Sequence, residues 1–158
     1  MFRLSNMADY ALVLLSHVAT DSSAPRRRPK SARDLASASG LPAPTVAKVL
    51  KSLVRAALLT SRRGAQGGYA LARPANGISL ADVVAVFDGP VALTRCTAEQ
   101  GGRGKGAGEP CTLLARCPVR AAWAPVNQTV SAALSKLTLA DMFSAASSPA
   151  RSAAALPK

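Results

Sequence analysis

Three cysteines, Cys96, Cys111 and Cys117, are the whole thiol supply of this 158-residue chain, and all three fall in one stretch, CTAEQGGRGKGAGEPCTLLARC. Their spacing, C-x14-C-x5-C, contains no C-x2-C pair, which argues against a structural zinc knuckle. The glycine-rich run between the first two can bend freely and bring Cys96 toward the others. Arg95, Arg116 and Arg120 are close in sequence, and a cationic setting favours thiolate. Thiolates are soft ligands suited to iron–sulfur clusters, zinc or copper(I). A cluster held by three cysteines has room for a fourth, weaker or harder ligand, an arrangement that suits a sensor. Spacing alone leaves two readings open, a metal or cluster site and three ordinary thiols.

Other chemistries find less support. His17 is the only histidine, and no His/Asp arrangement stands ready to activate a cysteine nucleophile, so the chain does not read as an enzyme. The glycine-rich turn RRGAQGGY lacks the Lys-Ser/Thr ending of a P-loop and the GxGxxG spacing, which excludes a nucleotide site. No apolar run approaches the ~20 residues that span a bilayer. The opening MFRLSNMADYALVLLSHVAT resembles a signal peptide only superficially, because Asp9 and His17 interrupt it. An odd cysteine count without an export signal points to a reducing, cytoplasmic setting.

The charge suggests a partner. The formal net charge is +12, and residues 1–73 hold twelve Lys/Arg against three Asp/Glu. A basic half this pronounced favours a polyanion, with nucleic acid ahead of an acidic membrane surface.

The elements that must position these residues follow from periodicity and caps. The alanine-rich, aromatic-poor composition favours helix over strand. A first helix is expected over 8–19, then a basic Pro/Ser-rich loop over 20–30. Ser31, with Asp34 in the capping-box position, opens a short helix that Gly40 ends. Pro42 and Pro44 suit the start of a helix over 43–57. Val46, Val49, Leu50, Leu53, Val54 and Leu58 form its apolar face, and Thr45, Lys48, Ser52 and Arg55 its polar, basic face. Two helices joined by a tight turn form a helix-turn-helix pattern. The next stretch, LLTSRRGAQGGYALAR, reads as two strands around a glycine-rich turn, a wing edged by Arg62 and Arg63.

Ser79 caps a helix within 78–89, with Ile78 as a hydrophobic staple. Beyond Pro118 a long helix is expected, with Pro125 kinking it or delaying its start. Trp123, Val126, Val130, Ala133, Leu134 and Leu137 give it an apolar stripe that suits dimerisation or packing on its own domain. A short terminal helix over 138–143 and a disordered tail over 144–158 complete the chain. The organisation read from this is a mainly α winged helix-turn-helix domain (1–90), a cysteine-bearing loop (91–117), a dimerisation helix with a terminal helix (118–143), and the tail.

These motifs, in this order, resemble a known family. The opening MFRLSNMADYALVLLSHVA, the segment LASASGLPAPTVAKVLKSLVRAALL, the wing SRRGAQGGYALAR, ISLADVV, the three cysteines, a Trp-containing helix and TLADMF look like the iron–sulfur winged helix-turn-helix repressors typified by IscR, NsrR and RirA (the Rrf-two superfamily). The regulators of SUF-type cluster assembly are the nearest group. The resemblance covers about residues 1–143. It implies a cytoplasmic homodimer that binds a double-stranded DNA operator, with Thr45, Lys48, Ser52 and Arg55 on the DNA and Arg62 and Arg63 on the wing. It implies that Cys96, Cys111 and Cys117 hold a 2Fe–2S or 4Fe–4S cluster whose state sets DNA affinity; some members take a fourth ligand from the first helix of the other subunit, where the matching position is Asp9, which reads otherwise as an N-cap or first-turn acid favoured by the helix dipole. Two features depart from the pattern: Gly101–Gly108 lengthens the first cysteine gap, and Arg120 stands where other members use histidine. The alternatives are a regulator that senses thiol oxidation without metal, and a zinc-binding adaptor.

Overall fold

The structure is a computed structural model that describes residues 4–20, 29–64, 67–94, 97, 113 and 115–147. Among these residues, six helices and one hairpin follow in the order α1 (Asn6–Thr20), α2 (Ala32–Ser39), α3 (Ala43–Arg55), β1 (Leu59–Arg62), β2 (Gly68–Leu71), α4 (Leu80–Phe87), α5 (Arg120–Lys136) and α6 (Leu139–Ser147), with a 3-10 turn at Ala75–Gly77 before α4. The sheet is two-stranded and antiparallel, pairing Leu59 with Leu71 and Arg62 with Gly68. Mainly helical architecture with a two-stranded wing is therefore what the chain adopts.

Local rules account for most boundaries. Ser31 caps α2 and Ser79 caps α4; each is closed reciprocally by the carboxylate three residues on, Asp34 and Asp82. Gly40 ends α2 at φ +68°, the left-handed conformation that glycine adopts without steric cost. Helix α1 is longer than expected because Ser5 starts it early, its hydroxyl accepting from the Ala8 N–H at 3.2 Å.

Helix α3 ends two residues before the expected boundary. The Leu58 N–H donates to the Leu53 carbonyl and the Ala57 N–H to the Val54 carbonyl, each at 3.0 Å. This is the Schellman pattern of paired bonds that closes a helix C-terminus, and it forces Ala57 into φ +55°. No glycine marks the stop, so the sequence pattern runs past it.

Helix α5 begins at Arg120 and continues through Pro125, so the proline does not delay its start. Proline there removes the N–H that would reach the Ala121 carbonyl and crowds that carbonyl with its ring, and that turn is exposed, where water can serve the freed group. Helix α6 runs through Ser147, four residues into the stretch expected as tail. Positions 148–158 lie outside the described residues.

One core joins the two ends of the chain. Leu14 and Leu15 of α1, Leu35 of α2, Val46, Val49, Leu50 and Leu53 of α3, Ile78, Val83 of α4 and Leu139 of α6 are fully buried together. The C-terminal segment reaches this core through paired backbone bonds: Leu80 N–H to the Leu137 carbonyl at 2.8 Å and Leu139 N–H to the Ile78 carbonyl at 2.9 Å. Thr138 and Asp141 form another reciprocal cap at the start of α6. The side-chain bond from Thr138 at 2.6 Å, and then the backbone bond, hold the Asp141 carboxyl below the usual carboxylate range.

Alanine in the left-handed region costs roughly 1 kcal/mol that glycine avoids. Ala57→Gly is expected to stabilise the protein by about 0.5–1 kcal/mol, read as a higher urea midpoint at unchanged slope. A lower midpoint would show that Ala57 is not strained.

Candidate nucleic-acid interface and cysteine segment

Helix α3 buries Val46, Val49, Leu50 and Leu53. At about 100° per residue this places the centre of the opposite face at Pro44, Lys48, Lys51 and Arg55, all four exposed. Thr45 and Ser52, expected to face outward, lie instead on the flank and are half-buried. The Ser52 hydroxyl donates to the Lys48 carbonyl at 3.2 Å. Sequence reasoning misses Lys51 because the flank adjoining Thr45 reads as the polar face. The residue lies one helical turn from both Lys48 and Arg55, and that spacing could have found it.

The wing stands directly after α3. Arg62 and Arg63 are exposed at its tip, and Gly67 closes the turn with an N–H to the Gly64 carbonyl at 2.9 Å. A third segment braces the hairpin: the Lys30 N–H donates to the Tyr69 carbonyl at 3.1 Å and the Tyr69 N–H to the Lys30 carbonyl at 2.8 Å. Gly68 makes this approach possible. It sits at φ +151°, and a Cβ there would lie 2.6 Å from the Lys30 carbonyl oxygen. At the wing's base the Arg73 guanidinium reaches Asp82 at 3.2 Å. That carboxylate also accepts the Ser79 N–H, so the last arginine of the wing motif fastens the hairpin to the α4 cap rather than standing free for a ligand.

Of the three cysteines, Cys117 is described: half-buried, unpaired in any disulfide, and three residues ahead of the first turn of α5. Cys96 and Cys111 lie outside the described residues. Among the described residues no three His, Cys, Asp or Glu side chains stand together. Asp9 is exposed in the first turn of α1. The chain entering the cysteine segment is tied to α5 by Asn127, which sequence reasoning does not single out. Its side-chain oxygen accepts from the Leu93 N–H at 3.0 Å and its amide nitrogen donates to the Val91 carbonyl at 3.1 Å. One asparagine in an exposed helix carries no periodic signal, so only the folded contact reveals it.

Trp123 and Val126 of α5 and Leu137 at its C-cap are 37%, 45% and 46% exposed, and no residue of the helix is buried. The expected apolar stripe is thus largely uncovered within the subunit. No described helix is long and apolar enough to cross a membrane.

A helix-turn-helix whose second helix offers a basic face, followed at once by a two-stranded wing, defines a winged-helix DNA-binding protein. The chain matches the Rrf2 family, described as an iron-dependent transcriptional regulator, over residues 4–145, and it belongs to that family. Protein rrf2 of Nitratidesulfovibrio vulgaris is 29% identical over 145 residues, 92% of this chain and 89% of that protein. An HTH-type transcriptional regulator of Mycobacterium tuberculosis is 40% identical over 93 residues, 59% of this chain and 56% of that relative, so the match spans about half of the relative's length. Among solved structures, the global cysteine regulator CymR of B. subtilis shares the fold at 24% identity, with a TM-score of 0.68 over 92% of this chain and 98% of that one. T. potens IscR is 25% identical, with a TM-score of 0.65 over 92% and 88% of the two chains.

The brace at Gly68 yields a direct expectation. Gly68→Ala should destabilise the fold by about 1–3 kcal/mol, because the contacting atoms are backbone and cannot swing aside. The neighbouring Ala70→Gly serves as a control. Equal urea midpoints for Gly68→Ala and wild type would show that Lys30 does not pack against the wing.

Proposed function

We propose that this chain is a homodimeric DNA-binding repressor that senses iron–sulfur status, with genes of iron–sulfur cluster assembly as its targets. The observation that carries the DNA-binding part is the exposed basic face of α3 beside a braced wing. Lys48, Lys51 and Arg55 enter or border the major groove, Thr45 and Ser52 touch its edge, and Arg62 and Arg63 reach the flanking minor groove or phosphates. Dimerisation through α5 covers Trp123, Val126 and Leu137. The domain organisation follows as residues 1–90 for DNA, 91–117 for sensing and 118–143 for dimer contacts.

The sensing part rests on the chemistry of the donor set. Three cysteines and no other thiol form a soft ligand set that fits an iron–sulfur cluster better than a hard cation. The half-buried position of Cys117 ahead of α5 is compatible with a ligand shielded from bulk water. A bound cluster would supply a centre whose loss or oxidation frees these ligands. Cys96, Cys111 and Cys117 would hold it, and Asp9 of each subunit would complete the set in the other. The family's iron-dependent description and the likeness to T. potens IscR support this reading.

Two experiments test the halves separately. In duplex-DNA titrations across a salt series, Lys48→Ala or Lys51→Ala should weaken binding and flatten the salt dependence by about 0.9 in log–log slope for each phosphate no longer neutralised. Unchanged affinity and slope in both variants would remove α3 from the interface. Strictly anaerobic purification should give a coloured protein with iron and acid-labile sulfide in matching amounts, both absent from Cys117→Ser. A colourless protein without iron after reconstitution would replace this mechanism with metal-free thiol sensing, and zinc without sulfide would favour a zinc-binding adaptor.

A further inference from the structure

We infer that the N-terminal tip of α3 selects thymine, with Pro44 and Ala47 meeting thymine C5-methyl groups in the major groove. The inference rests on the reading of α3 as the recognition helix and adds which base its tip specifies.

The outward face of α3 has two unlike halves. Lys51 and Arg55 occupy the C-terminal half, and Lys48 stands between the halves. The N-terminal half is carbon: Pro42, Ala43, Pro44 and Ala47 are all exposed, and none of their side chains holds a donor or an acceptor. Ala47 lies about 60° around the helix from Pro44 and roughly 4.5 Å along it, so the two form one small apolar patch beside Lys48. The hydroxyls nearest this patch are turned elsewhere. Thr45 is half-buried on the flank, and the Ser52 hydroxyl donates to the Lys48 carbonyl at 3.2 Å.

The backbone of the tip is equally poor in donors. A helix start ordinarily offers four free N–H groups, which suit it to hold a phosphate. Here the four residues are Pro42, Ala43, Pro44 and Thr45, and no side chain caps the helix at Pro42. The two prolines have no N–H, and the Thr45 N–H donates to the Pro42 carbonyl at 2.9 Å. At most the Ala43 amide is left. The tip is therefore not built as a phosphate anchor, and the cations of the face and the wing take that duty.

In helix-turn-helix docking, the N-terminal residues of the recognition helix approach the base edges. Thymine is the base that presents a methyl group in the major groove, and a small apolar side chain such as alanine is its matching contact. Donors and acceptors of other bases facing the same patch would lose water without gaining a partner. Short side chains also let the helix come close to the base edges. Lys48, Lys51 and Arg55 on the same face complement a polyanion, which makes duplex DNA the occupant of this patch rather than a protein partner.

The test removes the methyl group from the DNA. Duplexes that the full chain binds are selected from a random library at fixed salt, with anaerobically prepared and metal-stripped protein in parallel, and the tightest is kept. Each thymidine is then replaced singly by deoxyuridine, which lacks only the methyl group. At one thymidine or more in each half-site, binding should weaken about three- to fivefold, the worth of burying one such group. This dependence should vanish in Ala47→Gly and shrink in Pro44→Ser, read as the ratio of thymidine to deoxyuridine affinity within each variant. A loss of folded protein lowers both affinities alike and leaves that ratio unchanged. Lys51→Ala should lower affinity and keep the ratio. The inference is overturned by the absence of any deoxyuridine effect, or by an effect of equal size in wild type and both tip variants. If Lys51→Ala still weakens binding in that case, the recognition-helix reading stands without it. Failure to select any duplex overturns both.

Discussion

Everything in this molecule depends on the burial of one face of α3. Val46, Val49, Leu50 and Leu53 are removed from water against Leu14, Leu15, Leu35 and Ile78, and each such side chain contributes about 1.5–3 kcal/mol relative to exposure. Because successive residues of a helix turn by about 100°, sealing that face also determines which side chains point outward. The basic surface of Lys48, Lys51 and Arg55 is a geometric consequence of the packing behind it. The turn at Gly40 and the Schellman closure at Ala57 hold the two ends of the helix, so it is presented at one angle and leads straight into β1.

The same core receives the far end of the chain. Leu139 is fully buried in it, and the backbone pairing of 78–80 with 137–139 fixes where α6 begins. Helix α5 is therefore fastened to the domain that carries α3. Asn127 ties the backbone at Val91 and Leu93 to that helix. A line of packed and hydrogen-bonded contacts runs from Val91 and Leu93 to α5, through Leu137 and Leu139 to the core, and from the core to α3. The Asp141 cap lies on this route at the α5–α6 corner. Its lowered carboxyl pKa means that the cap's contribution is present above the ordinary carboxylate pKa and is lost as pH falls through the folded value.

The wing illustrates a constraint of a different kind. Its two strands need only a glycine-rich turn, but the structure adds the Lys30–Tyr69 bridge, and that bridge is what requires glycine at position 68. Arg73 has a comparable hidden duty. In the sequence it is one more positive charge near a basic surface. In the fold it meets Asp82, which is already occupied in capping α4.

The sequence alone determined the helices, because caps and apolar spacing are local. Ser31 with Asp34, Ser79 with Asp82, Gly40, and the i, i+3, i+4 run of α3 each specify an element without reference to distant residues. It also determined the basic bias, the confinement of all three thiols to one segment, and the motifs that mark the family. Tertiary structure decided what depends on which side of an element is covered. It showed Thr45 and Ser52 on the flank and Lys51 at the centre of the outward face of α3, because packing made plain which side is covered. It ended α3 at an alanine, kept α5 helical through Pro125, and left Trp123, Val126 and Leu137 uncovered. It gave Asn127 partners more than thirty residues away. Such a pairing has no periodicity for a sequence to display, because hydrogen bonds between distant segments exist only once the chain has folded.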